Sequence, residues 1–240
     1  VGRVWWRCAG QARRAKSTPR LPGPATSKEH RVDSKVTAVL DIYHARMAEE
    51  RETRHQATLA GQKDALRDSF MLAVGPDTGQ LINILARSLE APQILELGTS
   101  YGYSTLWLAE AARATGGRLT TMELHDHKSA HAREMADRAG LAAHVDFQVG
   151  DAVELIRALP GGIDFVLVDL WKEYYLPCLE AFYPKLHPGA IIVADNIIKP
   201  GKEGALRYAE AVRAKPEMSS ILVPVGAGLE ISRFKAGSRR

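Results

Sequence analysis

Four side chains in two short stretches have the types and spacing to do chemistry together. Asp169-Leu170-Trp171-Lys172 places an amine three residues after an acid, and Asp195-Asn196 places an acid beside an amide. Two carboxylate oxygens and an amide oxygen are hard donors. They suit a divalent cation such as Mg2+, which takes six oxygens and leaves places for water or substrate. No cysteine or histidine is spaced to favour zinc. Either stretch taken alone reads first as ordinary polar residues at the ends of strands, so the elements that position them decide the matter.

Both stretches follow apolar runs, FVLVDL at 165–170 and AIIVADN at 190–196. Similar runs occur at 94–97 (ILEL), 119–124 (LTTMEL) and 145–150 (VDFQVG), with helical patterns between them at 127–139, 153–159 and 174–186. A helix at 203–215 and two late strands near 221–225 and 229–234 close the chain. Apolar strands alternating with helices predict a parallel sheet covered on both faces. Glu96, Glu123, Asp151, Asp169 and Asp195 then each stand at the carboxyl end of a strand, and in an open parallel sheet those ends line one crevice. Five gathered acids repel one another unless something cationic sits among them.

Residues 94–109, ILELGTSYGYSTLWLA, predict a buried strand that breaks at Gly98, turns, and restarts as a helix near Tyr103. A strand, a turn with two glycines and a helix N-terminus make a cradle for a nucleotide-like ligand. The spacing is G-x-x-x-G after an acid, Glu96, rather than the G-x-G-x-x-G of a dinucleotide site. Glu123 lies 25 residues beyond Gly98, where one carboxylate can accept both hydroxyls of a ribose. Upstream, the periodicity of 33–66 predicts one or two helices, and Thr78 is expected to cap a helix beginning near Gly79.

With these motifs in view, the chain resembles the cation-dependent small-molecule O-methyltransferases, the family that includes the catechol and caffeoyl-CoA O-methyltransferases. The resemblance covers roughly residues 64–235. It rests on VGPDTGQL, ELGTSYGYST, Glu123, Gly150-Asp151-Ala152, DLWKEYYLP and ADNIIKPG, and it is closest to the catechol type. It implies an α/β, Rossmann-like class I fold with a seven-stranded, mostly parallel sheet, S-adenosylmethionine (SAM) and Mg2+ as cofactors, and methyl transfer to a hydroxyl of a vicinal dihydroxy phenol. By the same resemblance Asp169, Asp195 and Asn196 would hold the metal and Lys172 would be the general base. Val74 and Gly75 would approach the methionine part of SAM, with Glu96, Gly98, Thr99, Ser100 and Ser104 around its amino acid end. Glu123 would hold the ribose, and Asp151, with Ala152, the adenine; Asp169 would border SAM as well. Phe70, Leu72, Trp171 and Pro200 would wall the slot for the phenol, beside Lys172. Two departures affect acceptor orientation: an additional acid after the DN motif has no counterpart, and Ala227 stands where related bacterial members carry an acid.

The 240 residues suffice for one such domain, expected at 33–240, preceded by a basic tail at 1–32. Residues 1–28 hold seven of the 32 basic side chains and no acid, which leaves 25 basic against all 28 acidic residues in the remainder. The body therefore offers no large positive surface, and neither nucleic acid nor a membrane is an expected partner, although the tail keeps an RNA substrate as an alternative beside caffeoyl-CoA-like esters. Cys8 and Cys178 lie far apart, so a reducing, cytoplasmic setting is expected. An Arg-rich, acid-free start also fits a mitochondrial transit peptide. The early helical segment and the apolar late strands suggest a homodimer.

Overall fold

The computed structural model of the protein describes residues 33–59 and 70–235, so the expectations placed on the tail at 1–32 lie outside the described residues. Seven strands, β1 (Gln93–Leu97), β2 (Arg118–Glu123), β3 (Val145–Val149), β4 (Ile163–Val168), β5 (Leu186–Ala194), β6 (Met218–Val223) and β7 (Leu229–Phe234), form one sheet. Its order is β3-β2-β1-β4-β5-β7-β6. The first five strands are parallel, and β7 runs antiparallel between β5 and β6.

Register is what makes this sheet useful. Leu97 pairs with Val168, and Val168 with Ala194, so the chain leaves β1, β4 and β5 at one level and delivers Gly98, Asp169 and Asp195 side by side. Backbone bonds carry the ladder one step further: Asp169 N–H donates to Leu97 C=O at 2.9 Å, and Asp195 N–H to Val168 C=O at 3.1 Å. Strand order reverses between β1 and β4, which is where an open sheet of this kind leaves a crevice.

Among the described residues seven α-helices cover the sheet: α1 (Ser34–Leu59), α2 (Pro76–Arg87), α3 (Tyr103–Thr115), α4 (Asp126–Arg138), α5 (Ala152–Ala158), α6 (Tyr175–Phe182) and α7 (Glu203–Ala214). Side chains alternate across each strand, so Ile94, Phe165, Leu167 and Val193 pack against α1 to α4, while Leu95, Leu97, Val166, Val168 and Ile192 pack against α5 to α7. Each such side chain contributes about 1.5–3 kcal/mol by leaving water, which explains the unbroken apolar runs in the sequence. No described helix is long and apolar enough to cross a membrane.

The segment after Asp33 is one continuous helix of 26 residues, within the one or two expected, and 60–66 lie outside the described residues. Two local expectations change. Helix α2 starts at Pro76, not near Gly79: Gly75 is its N-cap at φ 88°, and Pro76 fits the first turn because its missing N–H has no acceptor there. Thr78 is therefore not the cap. It lies inside the helix, fully buried, with Oγ1 lacking a partner.

Candidate active site

The turn after β1 is tight enough to need glycine. Gly98 has φ 101°, and a Cβ there would collide with the backbone carbonyl of Asp169. That close approach brings the glycine turn against the end of β4. Val74, Gly98, Thr99, Ser100, Ser104 and Asp169, all expected around the cofactor, line one narrow pocket. Gly75 adjoins it, and a Cβ on Gly75 would meet open space, so its backbone is free for close approach. Helices α2 and α3 both begin without a side-chain cap, which leaves first-turn N–H groups available to an anionic group such as a carboxylate.

Glu123 closes the next position along the rim, on the same side as Gly98. Its Oε2 accepts from Ser100 N–H at 2.8 Å and its Oε1 from His125 N–H at 3.0 Å. Each oxygen retains a lone pair, so a diol can still be accepted. Beyond β3, Asp151 is the N-cap of α5, its Oδ1 accepting from Glu154 N–H at 3.1 Å, with the residue exposed and Ala152 following it half-buried.

Glu96 behaves differently from the expectation. It alternates with Leu95 and Leu97, so its side chain goes to the α3 face, and it is completely buried. Thr105 Oγ1 and Thr121 Oγ1 each donate to Oε2 at 2.6 Å, so the acid braces α3 and β2 beneath the turn. Its Oε1 has no partner. Burial pushes the carboxyl up to about 7 against the pull of its hydroxyl donors. An ordinary glutamate ionises near 4.5. Between those values the unfolded chain releases a proton that the folded chain keeps, so stability falls as pH rises, and above about 7 the loss is complete. Glu96→Gln keeps an oxygen for both threonines and removes the charge. Its melting temperature should gain on the wild type between pH 4 and pH 8; parallel curves over that range would show that Glu96 ionises normally.

The acids next to the pocket lack a full complement of positive charge. Lys172 Nζ lies 3.3 Å from Asp169 Oδ1 and also donates to Leu170 C=O at 3.1 Å and to Tyr175 Oη at 2.6 Å. Tyr175 Oη donates onward to the Asp195 carbonyl at 3.0 Å. Asp195 is buried, its Oδ1 has no partner, and burial together with the neighbouring Asp169 pushes its carboxyl up to about 7. Burial also raises Asp169, and Lys172 opposes that shift. Asn196 follows at φ 59°, half-buried. Among the described residues no three His, Cys, Asp or Glu side chains cluster as a metal site. The donor set here is two carboxylates and one amide, and the unpartnered Asp195 oxygen is what a cation at this point would satisfy. A hard divalent ion fits these residues.

Tyr175 joins Lys172 to Asp195, a link that sequence reasoning missed. Its signal was slight: a tyrosine three residues after Lys172, across the short 3-10 turn Lys172–Tyr174. Burial drives its phenol well above the ordinary range, so it stays protonated and anchors Nζ. Tyr175→Phe should lower turnover by about three- to tenfold, the worth of one such hydrogen bond, with SAM affinity unchanged in calorimetry. Equal loss of both would make Tyr175 a fold residue.

Around the slot, Leu72 is exposed at φ 50°, Trp171 is half-buried and Pro200 is exposed. Phe70, expected in the same wall, is buried, with the Arg54 guanidinium of α1 5.8 Å from its ring centroid. Ala227 contributes through its backbone, its carbonyl accepting from Ile198 N–H and Lys199 N–H at 3.0 and 2.8 Å, which fixes the segment after Asn196.

Comparison with known proteins places this geometry. Residues 95–197 match the family model described as a methyltransferase domain. The chain is 37% identical over 135 residues to the catechol O-methyltransferase of Niastella koreensis, an alignment covering 55% of this chain and 61% of that protein, less than two thirds of its length. It is 25% identical to caffeoyl-CoA O-methyltransferase 1 of Eucalyptus globulus, over 68% of this chain and 75% of that one. The crystal structure of the O-methyltransferase TomG from Streptomyces achromogenes, in complex with SAM, superposes with a TM-score of 0.62 and 30% identity, over 68% of this chain and 82% of TomG. The seven-stranded sheet, the pocket at its switch point and these relatives agree: the chain belongs to the cation-dependent small-molecule O-methyltransferase family.

Proposed function

We propose that the protein transfers the methyl group of SAM to one hydroxyl of a catechol-like phenol, with a divalent cation such as Mg2+ held by Asp169, Asp195 and Asn196. The observation that carries this reading is the buried, unpartnered Asp195 oxygen, in a carboxylate that feels both Asp169 and Lys172, with Asp169 itself lining the pocket beside Gly98 and Ser100. When bound, the cation supplies positive charge that makes a phenolic hydroxyl easier to deprotonate. The chain's own residues do the rest. Lys172, in its amine form, takes the hydroxyl proton at Nζ, and Tyr175 holds Nζ in place. The residues lining the pocket would hold SAM, which would supply the methyl group, the acceptor oxygen gaining it as the C–S bond breaks and the sulfonium becomes a neutral thioether. Holding both reactants in line supplies much of the rate.

The same chemistry on a phenolic ester is the second reading, supported by the likeness to the Eucalyptus relative. Methyl-labelled SAM, Mg2+ and a panel of simple catechols, monohydroxy phenols and caffeoyl-CoA decide between them. Label should enter the vicinal diols and no monohydroxy phenol. A kcat/KM for caffeoyl-CoA far above that for every simple catechol would favour the ester, and label in none of them would overturn both readings.

A further inference from the structure

The fully buried residues of helix α1 stop at Tyr43 and resume only at Ala57. Between those points Met47 packs half-buried against the core, and the polar contacts go to both lips of the pocket. Glu50, whose side chain is 16% exposed, receives the Met71 N–H between its two oxygens at 3.0 and 2.9 Å. The Met71 carbonyl accepts from Ser100 Oγ at 3.0 Å, and Ser100 N–H reaches Glu123 at 2.8 Å. One residue of the pocket wall is thus tied through its N–H to α1 and through its carbonyl to the glycine turn. The next residue, Leu72, sits at φ 50°, a conformation that a branched side chain keeps only where its surroundings enforce it.

The rest of this face of α1 holds the opposite lip. Arg46 Nε donates to Glu50 Oε1 at 2.9 Å, and its guanidinium lies 4.2 Å from the centroid of the Tyr101 ring. Tyr43 Oη donates to the Tyr101 carbonyl at 2.5 Å. Tyr43, Arg46 and Glu50 follow one another at helical spacing, so a single stripe spans from the glycine turn to the Met71 segment.

We infer that Glu50 is a positioning residue for the cofactor: it holds the wall formed by residues 71–74 against Ser100, and thereby sets the affinity for SAM without touching it. The inference rests on the pocket being the SAM site. A merely structural Glu50 would change the melting temperature and leave SAM affinity alone, so affinity and local exchange are the readouts. In Glu50→Ala, amide exchange over residues 70–75 should quicken and the Kd for SAM should rise by about tenfold, the loss expected for a charge-assisted hydrogen bond. Glu50→Gln keeps a carbonyl oxygen for the Met71 N–H and should stay within about threefold of the wild type. Arg46→Met leaves the carboxylate but removes the group that orients it. It should give a smaller rise, and it carries the test if Glu50→Ala does not fold. Wild-type affinity in both Glu50→Ala and Arg46→Met overturns the inference, as does an equal loss in Glu50→Gln and Glu50→Ala. Wild-type protein that fails to bind SAM overturns the functional reading itself, and that failure is recognised before any variant is made.

Discussion

Lys172→Met should abolish methyl transfer, lowering kcat by about a hundred- to ten-thousandfold, the range for loss of a positioned general base, while binding SAM as the wild type does. The pocket that would hold SAM is lined by residues 71–74, by the glycine turn and the start of α3, and by Asp169, and Lys172 does not line it. Its three acceptors, Asp169, Leu170 and Tyr175, hold Nζ beside the acids. Lys172→Arg separates two roles. An arginine keeps the positive charge near Asp169 but stays protonated at any accessible pH and so accepts no proton. Turnover as low as in Lys172→Met would identify Nζ as the proton acceptor. Substantial activity in Lys172→Arg would reduce the residue to a counter-charge and remove the base from the mechanism.

The second large effect is on the cation. Chelation with EDTA should remove activity and added Mg2+ should restore it; turnover at full rate without any divalent ion would sink the donor set. A measurement independent of catalysis comes from stability. Asp169 and Asp195 are like charges in a buried setting, answered within the protein by a single lysine, and an uncompensated buried charge is costly. Held by the folded state alone, Mg2+ should raise the melting temperature with the logarithm of one plus its concentration over its Kd. Asp195→Asn removes the charge and weakens the site. In EDTA at pH 8 it should melt above the wild type, and Mg2+ should no longer shift it. A wild-type melting temperature indifferent to Mg2+, or an Asp195→Asn protein less stable than the wild type in EDTA, would show that the pair is satisfied some other way.

Much of this site was legible before any coordinates. The runs at 94–97, 119–124, 145–150, 165–170 and 190–196 all became strands; β4 and the second half of β5 are apolar because both faces are buried, while β3 at the sheet edge alternates buried Val145 and Phe147 with exposed Asp146. Gly98 was legible because a positive φ and a close backbone approach each exclude a side chain, and both occur there. The acids after the strands were legible because a parallel sheet sends every strand end to the same edge. These are local or strictly periodic properties, and a linear sequence displays them.

What stayed hidden depends on partners distant along the chain. Glu96 looks like its fellow strand-end acids, yet it lies one position short of the end of β1 and turns inward to Thr105 and Thr121. Glu50 and Met71 are 21 residues apart, Tyr43 and Tyr101 58, and Tyr175 and Asp195 20. Nothing in either member of such a pair names the other. The sequence by itself determined the sheet, the glycine turn and the inventory of acids, because backbone sterics and burial act on each residue where it stands. The tertiary structure alone decided which acid faces the crevice, which phenol holds Lys172 and which helix ties down the pocket wall, because strand order and register choose neighbours that no local rule specifies.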